Sequence, residues 1–427
     1  MHNSRTAPNR SGWKKSSLGD FFRIKHGYAF KGEFFSNLGE FVLLTPGNFQ
    51  IDGGLKLKGE KETYYSGNFP QDFILNKGDL IVAMTDLKQS APILGSAAVI
   101  PESGIFLHNQ RLGKIIDLKE KELHKKFLYF LFNSFNVRSQ IKGSATGTTV
   151  RHTAPERIYS VNIDLPPIRT QRKIASTLSV YDDLIENNTR RIKIIEEMAQ
   201  AIYREWFVNF RYPGHEDVRM VESELGLVPE GWEIRKIGDI AEEVRRNVEP
   251  NMVHPDTPYF GLEHIPRKSI ALSEWGVAKD VQSTKHQFFK GEILFGKIRP
   301  YFHKVGVAPV DGVCSSDAIV IRPKKPEYFG LVLFCVSSED FVSQATQTSQ
   351  GTKMPRANWN VLVNYPVVIP PKALLDEFNN IASGTVDLVI TKIFQNANLR
   401  RTRDLLVPKL ISGEIEVSGL DIEIPAA

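Results

Sequence analysis

The stretch IRTQRKIASTLSVYDDLIENNTRRIKIIEEMAQAIYREWFVNF occupies Ile168–Phe210. Between Pro167 and Pro213 there is neither Gly nor Pro, so the backbone chemistry permits one helix of roughly forty residues, or ~60 Å at 1.5 Å per residue. Ile174, Leu178, Tyr181, Ile185, Asn188, Ile192, Ile195, Ala199, Ile202 and Trp206 follow one another in alternating steps of four and three. That period of 3.5 marks a coiled-coil seam, not the broader stripe of a helix lying on a globular core. One seam position is polar, and a buried Asn in an apolar seam fixes register and partner at some cost in stability. A helix this long with so narrow a seam requires a second helix.

The second helix is in the same chain. Displacing the sequence by 204 positions lays Gly147-Thr148 on Gly351-Thr352, Pro166-Pro167 on Pro370-Pro371, Ile174 on Phe378, Asp183 on Asp387 and Leu184 on Leu388, without a gap. The copy, Lys372–Val407, again lacks Pro and carries Phe378, Ala382, Val389, Leu399 and Leu406. It is the weaker helix former, because Gly384 lies inside it and Lys392 and Arg403 fall near the seam. The same punctuation precedes each helix: a Gly-Thr turn, a short apolar strand (IYSVNIDLPP or LVNYPVVIPP) and a Pro-Pro stop.

A chain of 427 residues with 41% apolar content has room for two or three domains with ordinary cores. Its two cysteines, Cys314 and Cys335, are too few for a disulfide framework and lack zinc spacing. The longest apolar run, Leu331–Val336, is far too short for a membrane span, and the basic N-terminus has no apolar segment behind it. These features predict a cytoplasmic protein with no membrane contact. Net charge is +7 over residues 1–167, +1 over 168–210, −1 over 211–371 and −2 over 372–427, giving +5 for the chain. The basic first segment suits phosphate contacts, whereas any nucleic-acid surface in the third segment must be a local patch.

In chain order, residues 1–10 read as a disordered basic arm. Residues 11–167 alternate short β-type runs (FVLLTPGNF from Phe41, FILNKGDLIVAM from Phe73, GIFLHNQRLGKIID from Gly104) with a helical stretch, HKKFLYFLFNSFNVRSQI, from His124. Residues 168–210 form the central long helix. Residues 211–371, opened by a linker over 211–230, repeat the plan of the first segment. Gly231-Trp232 answers Gly12-Trp13, and Lys290-Gly291-Glu292 answers Lys77-Gly78-Asp79. Residues 372–412 are the second long helix and 413–427 a tail. The fold class is α+β: two mixed α/β domains separated by two long helices in an antiparallel coiled coil, with an internal pseudo-twofold repeat. Offsets of 219 and 213 in the heads against 204 in the helices describe one scaffold carrying two diverged heads, hence two recognition tasks.

This layout, with the central helix, GTTVRH at Gly147–His152, GYAFKGEFF at Gly27–Phe35, the VPEGWE restart and KIRPYFHKVGVAP at Lys297–Pro309, resembles the specificity subunit of type I restriction-modification systems over nearly the whole chain. The resemblance implies that each head is a target recognition domain reading one half of a split site in double-stranded DNA. It implies that the helices space the heads and dock two modification (methyltransferase) subunits, which restriction (endonuclease and translocase) subunits join. On this reading Glu186, Asn187, Arg190, Arg191 and Glu197 form an outer docking face. The second Gly-Thr stretch departs from the first, since Val150-Arg151-His152 is answered by Met354-Pro355-Arg356.

Catalytic chemistry is absent from the pattern. An amino-methyltransferase needs Asn/Asp-Pro-Pro-aromatic to hold a flipped base, and the nearest strings, Leu165-Pro166-Pro167-Ile168 and Ile369-Pro370-Pro371-Lys372, lack the amide, carboxylate and aromatic. GSATGTT at Gly143–Thr149 lacks the Lys of a phosphate loop. His303 and His264 read as surface or turn histidines, and no metal or cofactor is expected. For DNA, Lys297, Arg299, Tyr301 and His303 would share one face of a strand, with Lys304 beside them. In the first head Asn109 and Gln110 suit adenine and Arg111 suits guanine. Thr85 and Lys88 follow a turn that could reach a groove, and Arg151 and Arg356 belong to the Gly-Thr stretches. The alternatives are a coiled-coil tether for two protein-binding domains, which would not shift duplex DNA in a gel, and a single-chain methyltransferase, which the missing motifs oppose.

Overall fold

A computed structural model describes residues 12–422; the basic arm expected at residues 1–10 lies outside the described residues. The chain divides into two compact units, one running to Asp183 and resuming at Leu399, the other comprising Leu184–Asn398. Each unit therefore holds one head and a portion of both long helices.

In the first unit, strand Lys14–Ser17 pairs antiparallel with Asn162–Leu165. A four-stranded antiparallel sheet runs Arg23–His26, Leu112–Ile116, Leu80–Ala83, Ala97–Val99. Leu80–Ala83 is buried on both faces, which explains its unbroken apolar sequence where alternation would mark a half-exposed strand. Helices Lys125–Asn133 and Phe135–Gly143 cover the sheet, and Phe127, Leu128, Phe132 and Ile141 join Leu80 and Val82 in the core. A second, smaller sheet around Tyr64–Tyr65 holds an aromatic cluster of Phe30, Phe41, Tyr65 and Phe69.

The second unit repeats this plan. Glu233–Lys236 pairs with Pro366–Ile369, and a four-stranded sheet runs Ala241–Glu243, Ala318–Pro323, Ile293–Gly296, Val305–Val307. Helices Phe329–Val336 and Glu339–Gln347 cover it. The two sheets correspond strand for strand, which is the internal repeat read from the sequence.

The first long helix is α-helical over Ile168–Tyr203 and then widens into a π turn, Arg204–Val208, so the α-helix expected to reach Phe210 stops earlier. The second runs unbroken over Lys372–Ile411 with Pro408 near its end. Pro408 stands 204 positions after Arg204, where the first helix widens, and lacks the N–H that would donate to the carbonyl four residues back, but the second helix continues through it to Ile411. Within each unit the two helices run antiparallel. In the first, Ile174 and Leu178 pack with Leu410 and Ile411, and Arg403 pairs with Asp182 at 2.5 Å. In the second, the seam Asn188 donates from Nδ2 to Oδ1 of Asn396 at 3.0 Å, Ile192 packs with Val389 and Ile393, and Tyr203, Trp206 and Phe207 surround Phe378. Arg403, which interrupts the seam as a sequence feature, is thus matched by a carboxylate. Among the described residues no helix is long and apolar enough to cross a membrane.

Candidate nucleic-acid interface

Both heads carry the same three-segment frame at the end of the main sheet. In the first, Met84 receives the ladder from both sides: its N–H donates to the Arg111 carbonyl at 3.0 Å, and its carbonyl accepts from the Thr153 N–H at 3.0 Å. In the second, Lys297 takes that place, donating to the Asp317 carbonyl and accepting from Ala357, both at 2.9 Å. One residue further on, Thr85 lies opposite His152 and Ile298 opposite Arg356. Asp86 is in register with Arg151, while the Arg299 N–H donates to Pro355.

Side chains on the frame differ sharply between the heads. In the first, Thr85 Oγ1 meets His152 Nδ1 at 3.0 Å. Arg151 turns inward, its Nη2 donating to the carbonyls of Lys142 and Ala145. Asp86 is buried and accepts from the N–H groups of Lys88 and Ile93, 2.9 and 2.7 Å away. That carboxylate folds the loop after the strand and leaves Leu87, Lys88, Gln89 and Ser90 exposed. Gly147 is required where the Gly-Thr stretch turns: with φ of +92°, a Cβ would stand 1.9 Å from the Val150 carbonyl oxygen.

Asn109, Gln110 and Arg111 form a tight turn beside the frame. The Asn109 Oδ1 accepts from the Arg111 N–H at 3.0 Å, which orients that amide, and Gln110 and Arg111 are exposed at the tip. Gly27 lets the neighbouring chain pass this turn, since a Cβ there would lie 2.1 Å from the Asn109 oxygen. Beneath it, buried His108 meets the Leu112 carbonyl through Nε2 at 3.0 Å. Burial pushes its pKa down to about 4, with Lys114 and Lys25 acting the same way against the Leu112 carbonyl and Asp79. The ring is neutral at pH 7 and donates from Nε2. Because the unfolded chain takes up this proton near pH 6.5 and the folded chain only near 4, stability falls as pH drops through that window, by roughly 3 kcal/mol in total. Replacing His108 with Gln is expected to remove that component. Urea midpoints at pH 7.0 and 4.5 check it, and an equal acid loss in both proteins would remove His108 from the account.

In the second head the expected strand face is not formed. The strand ends at Gly296, because Pro300 cannot continue a ladder. Arg299 and His303 both adopt left-handed backbone, with φ of +49° and +50°, around a short turn Pro300–Phe302. Lys297, Arg299, Tyr301 and His303 therefore do not share a face. Tyr301 stands half exposed at the tip, and Phe302 lies under the guanidinium of Arg267 at 4.1 Å and near that of Arg299 at 5.9 Å. His303 is buried, not on the surface, with Nε2 against the Ser337 carbonyl at 2.8 Å. Lys304 Nζ donates to the Leu262 carbonyl. Two strained residues, each of order 1 kcal/mol or more, are held by these inward contacts while Tyr301 projects. Lys268 joins through its N–H to the His303 carbonyl, and Arg356 lies across the frame. Arg267, Lys268, Lys297 and Arg356 thus stand around this turn and frame in a segment whose net charge is −1, with Lys268 paired to Glu339 and Arg356 beside Asp317.

Arg267 and Lys268 were missed in the sequence, although their adjacency in the run HIPRKSI was the available signal. The residues expected to dock subunits, Glu186, Asn187, Arg190, Arg191 and Glu197, are all exposed, and Glu186 pairs with Arg190 at 3.3 Å. Between them runs a second stripe not anticipated: Leu184, Asn187, Arg191, Ile194 and Met198, spaced three and four apart and exposed, three of them apolar. Burial raises both thiols, Cys314 and Cys335, to about 12, so neither offers a thiolate. Among the described residues no group of three His, Cys, Asp or Glu is arranged to hold a metal ion.

The type I restriction enzyme MjaIX specificity subunit of Methanocaldococcus jannaschii is 24% identical over 305 residues, covering 69% of this chain and 70% of its own length. The EcoDI specificity subunit of Escherichia coli is 25% identical over 298 residues, covering 65% of each. The crystal structure of the type I restriction-modification S subunit from M. genitalium has the same fold, with a TM-score of 0.56 at 15% identity over 96% of this chain and 97% of that one. A model of the type I restriction modification DNA specificity domain matches residues 10–197 and 229–380, one match for each repeat of the frame, and the chain belongs to that family.

Proposed function

We propose that the chain is the DNA sequence-specificity subunit of a type I restriction-modification complex. Each head binds one half of a bipartite, asymmetric site in double-stranded DNA, and the long helices space the heads. The observation that carries this reading is the frame itself. One backbone arrangement occurs once per unit, yet its side chains are Met84, Asp86, Arg111 and His152 in one and Lys297, Arg299, Asp317 and Arg356 in the other. A repeated frame whose side chains differ between the two units suits two different half-sites. The loop of Thr85 and Lys88, the turn of Gln110 and Arg111, and the turn of Tyr301 with Lys297 are the elements we place against DNA, while Lys304 braces that turn from within. Two modification subunits dock on the helices, where the exposed stripe through Leu184, Ile194 and Met198 has the 3.5 spacing of a second seam. Restriction subunits join that assembly, and the chain itself performs no catalysis.

The experiment is selection of duplexes from a random pool by the chain with its modification subunits. Wild type should enrich one split, asymmetric site. Arg299→Ala should loosen the turn that carries Tyr301 and so relax the half-site read by the second head, leaving the other untouched. Uniform weakening of all sequences, with a shallower salt dependence, would assign Arg299 to phosphate. Failure of the wild type to enrich any sequence would leave the tether as the better reading.

A further inference from the structure

We infer that Arg356 is the base-reading side chain of the second head, that its target is a guanine, and that Asp317 is its positioning residue; this rests on the DNA-recognition reading above. The equivalent position in the first head is His152, which Thr85 holds by a hydrogen bond. Opposite Arg356 that hydroxyl is replaced by Ile298, so the guanidinium has no such internal partner. Its side chain is 52% exposed and its nearest acid is Asp317, Nε to Oδ1, at 3.7 Å. That is an ion pair too long for a hydrogen bond, leaving the Nη edge of the fork free to donate.

The backbone beneath is fixed where the head group is not. The Arg356 N–H donates to Gln350 at 2.9 Å and its carbonyl accepts from Gln350 at 3.0 Å, while Pro355 precedes it and accepts from Arg299 at 2.7 Å. A pinned main chain carrying an unspent guanidinium is organised for binding before the ligand arrives. Arg299 differs on both counts: its guanidinium lies near Phe302, and its Nε is buried without a partner. Arg299 therefore supports the turn.

Charge decides what Arg356 takes. A phosphate oxygen placed on this fork would bring a second negative charge beside the Asp317 carboxylate. A guanine edge presents O6 and N7, two neutral acceptors matched to a bidentate fork. Phosphate is left to Lys297, at the start of the Tyr301 turn. Asp317 stands where the first head has Arg111, so the acid that orients the reader in one head is replaced by an exposed cation in the other.

The test uses the duplex enriched by the wild-type complex, with each guanine of the second half-site replaced in turn by 7-deazaguanine, which removes the N7 acceptor. One replacement should weaken wild-type binding by about 5- to 150-fold. Arg356→Ala should bind the parent duplex as weakly and be indifferent to that same replacement. Asp317→Asn should lose discrimination between guanine and 7-deazaguanine while its salt dependence stays that of wild type, which a merely structural role would not produce. If a split site is enriched but no guanine couples to Arg356, the inference fails while the family function stands. If no site is enriched by wild type, the underlying reading fails first. Thermal melting of each variant guards against misfolding; exposed Arg356 should tolerate replacement, and Arg356→His, the residue of the first head, supplies a second variant with the same expectation.

Discussion

Replacing Phe378 with Ala should destabilise the second unit by about 3–5 kcal/mol, among the largest losses expected of a single core truncation. Phe378 is fully buried at the start of the second long helix, with ring centroids of Phe207, Trp206, Phe334 and Tyr203 at 4.7, 5.9, 6.0 and 6.2 Å. Those four rings come from the end of the first long helix and from helix Phe329–Val336 of the head, so one side chain ties three helices together. Truncation leaves a void that rigid aromatic neighbours cannot collapse to fill. Hydrogen exchange localises the effect: amides near residues 199–208 and 375–390 should lose protection, while strands Leu80–Ala83 and Leu112–Ile116 of the other unit keep theirs. Unchanged protection near residues 199–208 would show that the ring cluster is not what fixes the helices to this head.

The long helices and the duplication were legible because both signals are one-dimensional. A 3.5-residue period and a constant offset survive in the sequence whatever the chain does in space, and Asn188 was visible as the one polar seam position. Its partner Asn396 was not, because pairing between antiparallel helices runs against the direction in which the repeat was aligned. The aligned counterpart of Asn188 is Lys392, whose Nζ instead meets Gln395 at 3.0 Å. The exposed stripe through Ile194 and Met198 was hidden for a related reason. On a helix with two seams, the seam buried in the chain absorbs the periodicity first.

At the recognition surface, residue types were legible and geometry was not. KIRPYFHK has the alternation of a strand, but Pro300 outweighs alternation, and the chain answers with two left-handed residues that turn His303 inward and Tyr301 outward. Arg151 looked like a contact because it is basic in a glycine-rich stretch, yet two carbonyls within reach of its Nη2 make it a brace. Long-range hydrogen bonds of this kind leave no periodic trace.

Arg138 is the strongest case of such a hidden brace, and Arg138→Met should cost about 3–5 kcal/mol, the range for stripping one partner from a buried charged network. The side chain is 7% exposed, and its guanidinium donates to the carbonyls of Leu94 at 2.9 Å, Ile51 at 2.8 Å and Pro92. Burial lowers its pKa, opposed by Asp52 and Asp86. The sequence signal was available, since Leu131, Ser134, Arg138 and Ile141 follow helical spacing on the covered face, but an Arg on an apolar face is ordinarily read as reaching to solvent. Removing the guanidinium leaves three carbonyls without donors and leaves Asp86 with Lys142 alone of its two nearby cations, at the base of the loop that carries Lys88. The equivalent position in the second head is Val342, and the equivalent of Asp86 is Arg299, so no comparable brace exists there among the described residues. The loss should therefore fall on one half of the DNA site. In duplex selection, Arg138→Met should blur the half-site read by the first head and keep the other sharp, with exchange of the Lys88 and Ile93 amides accelerated. Arg138→Lys should behave almost as badly, because an ammonium cannot span three carbonyls set around a planar fork. Equal blurring of both half-sites would mean that Arg138 supports the whole protein and not this loop.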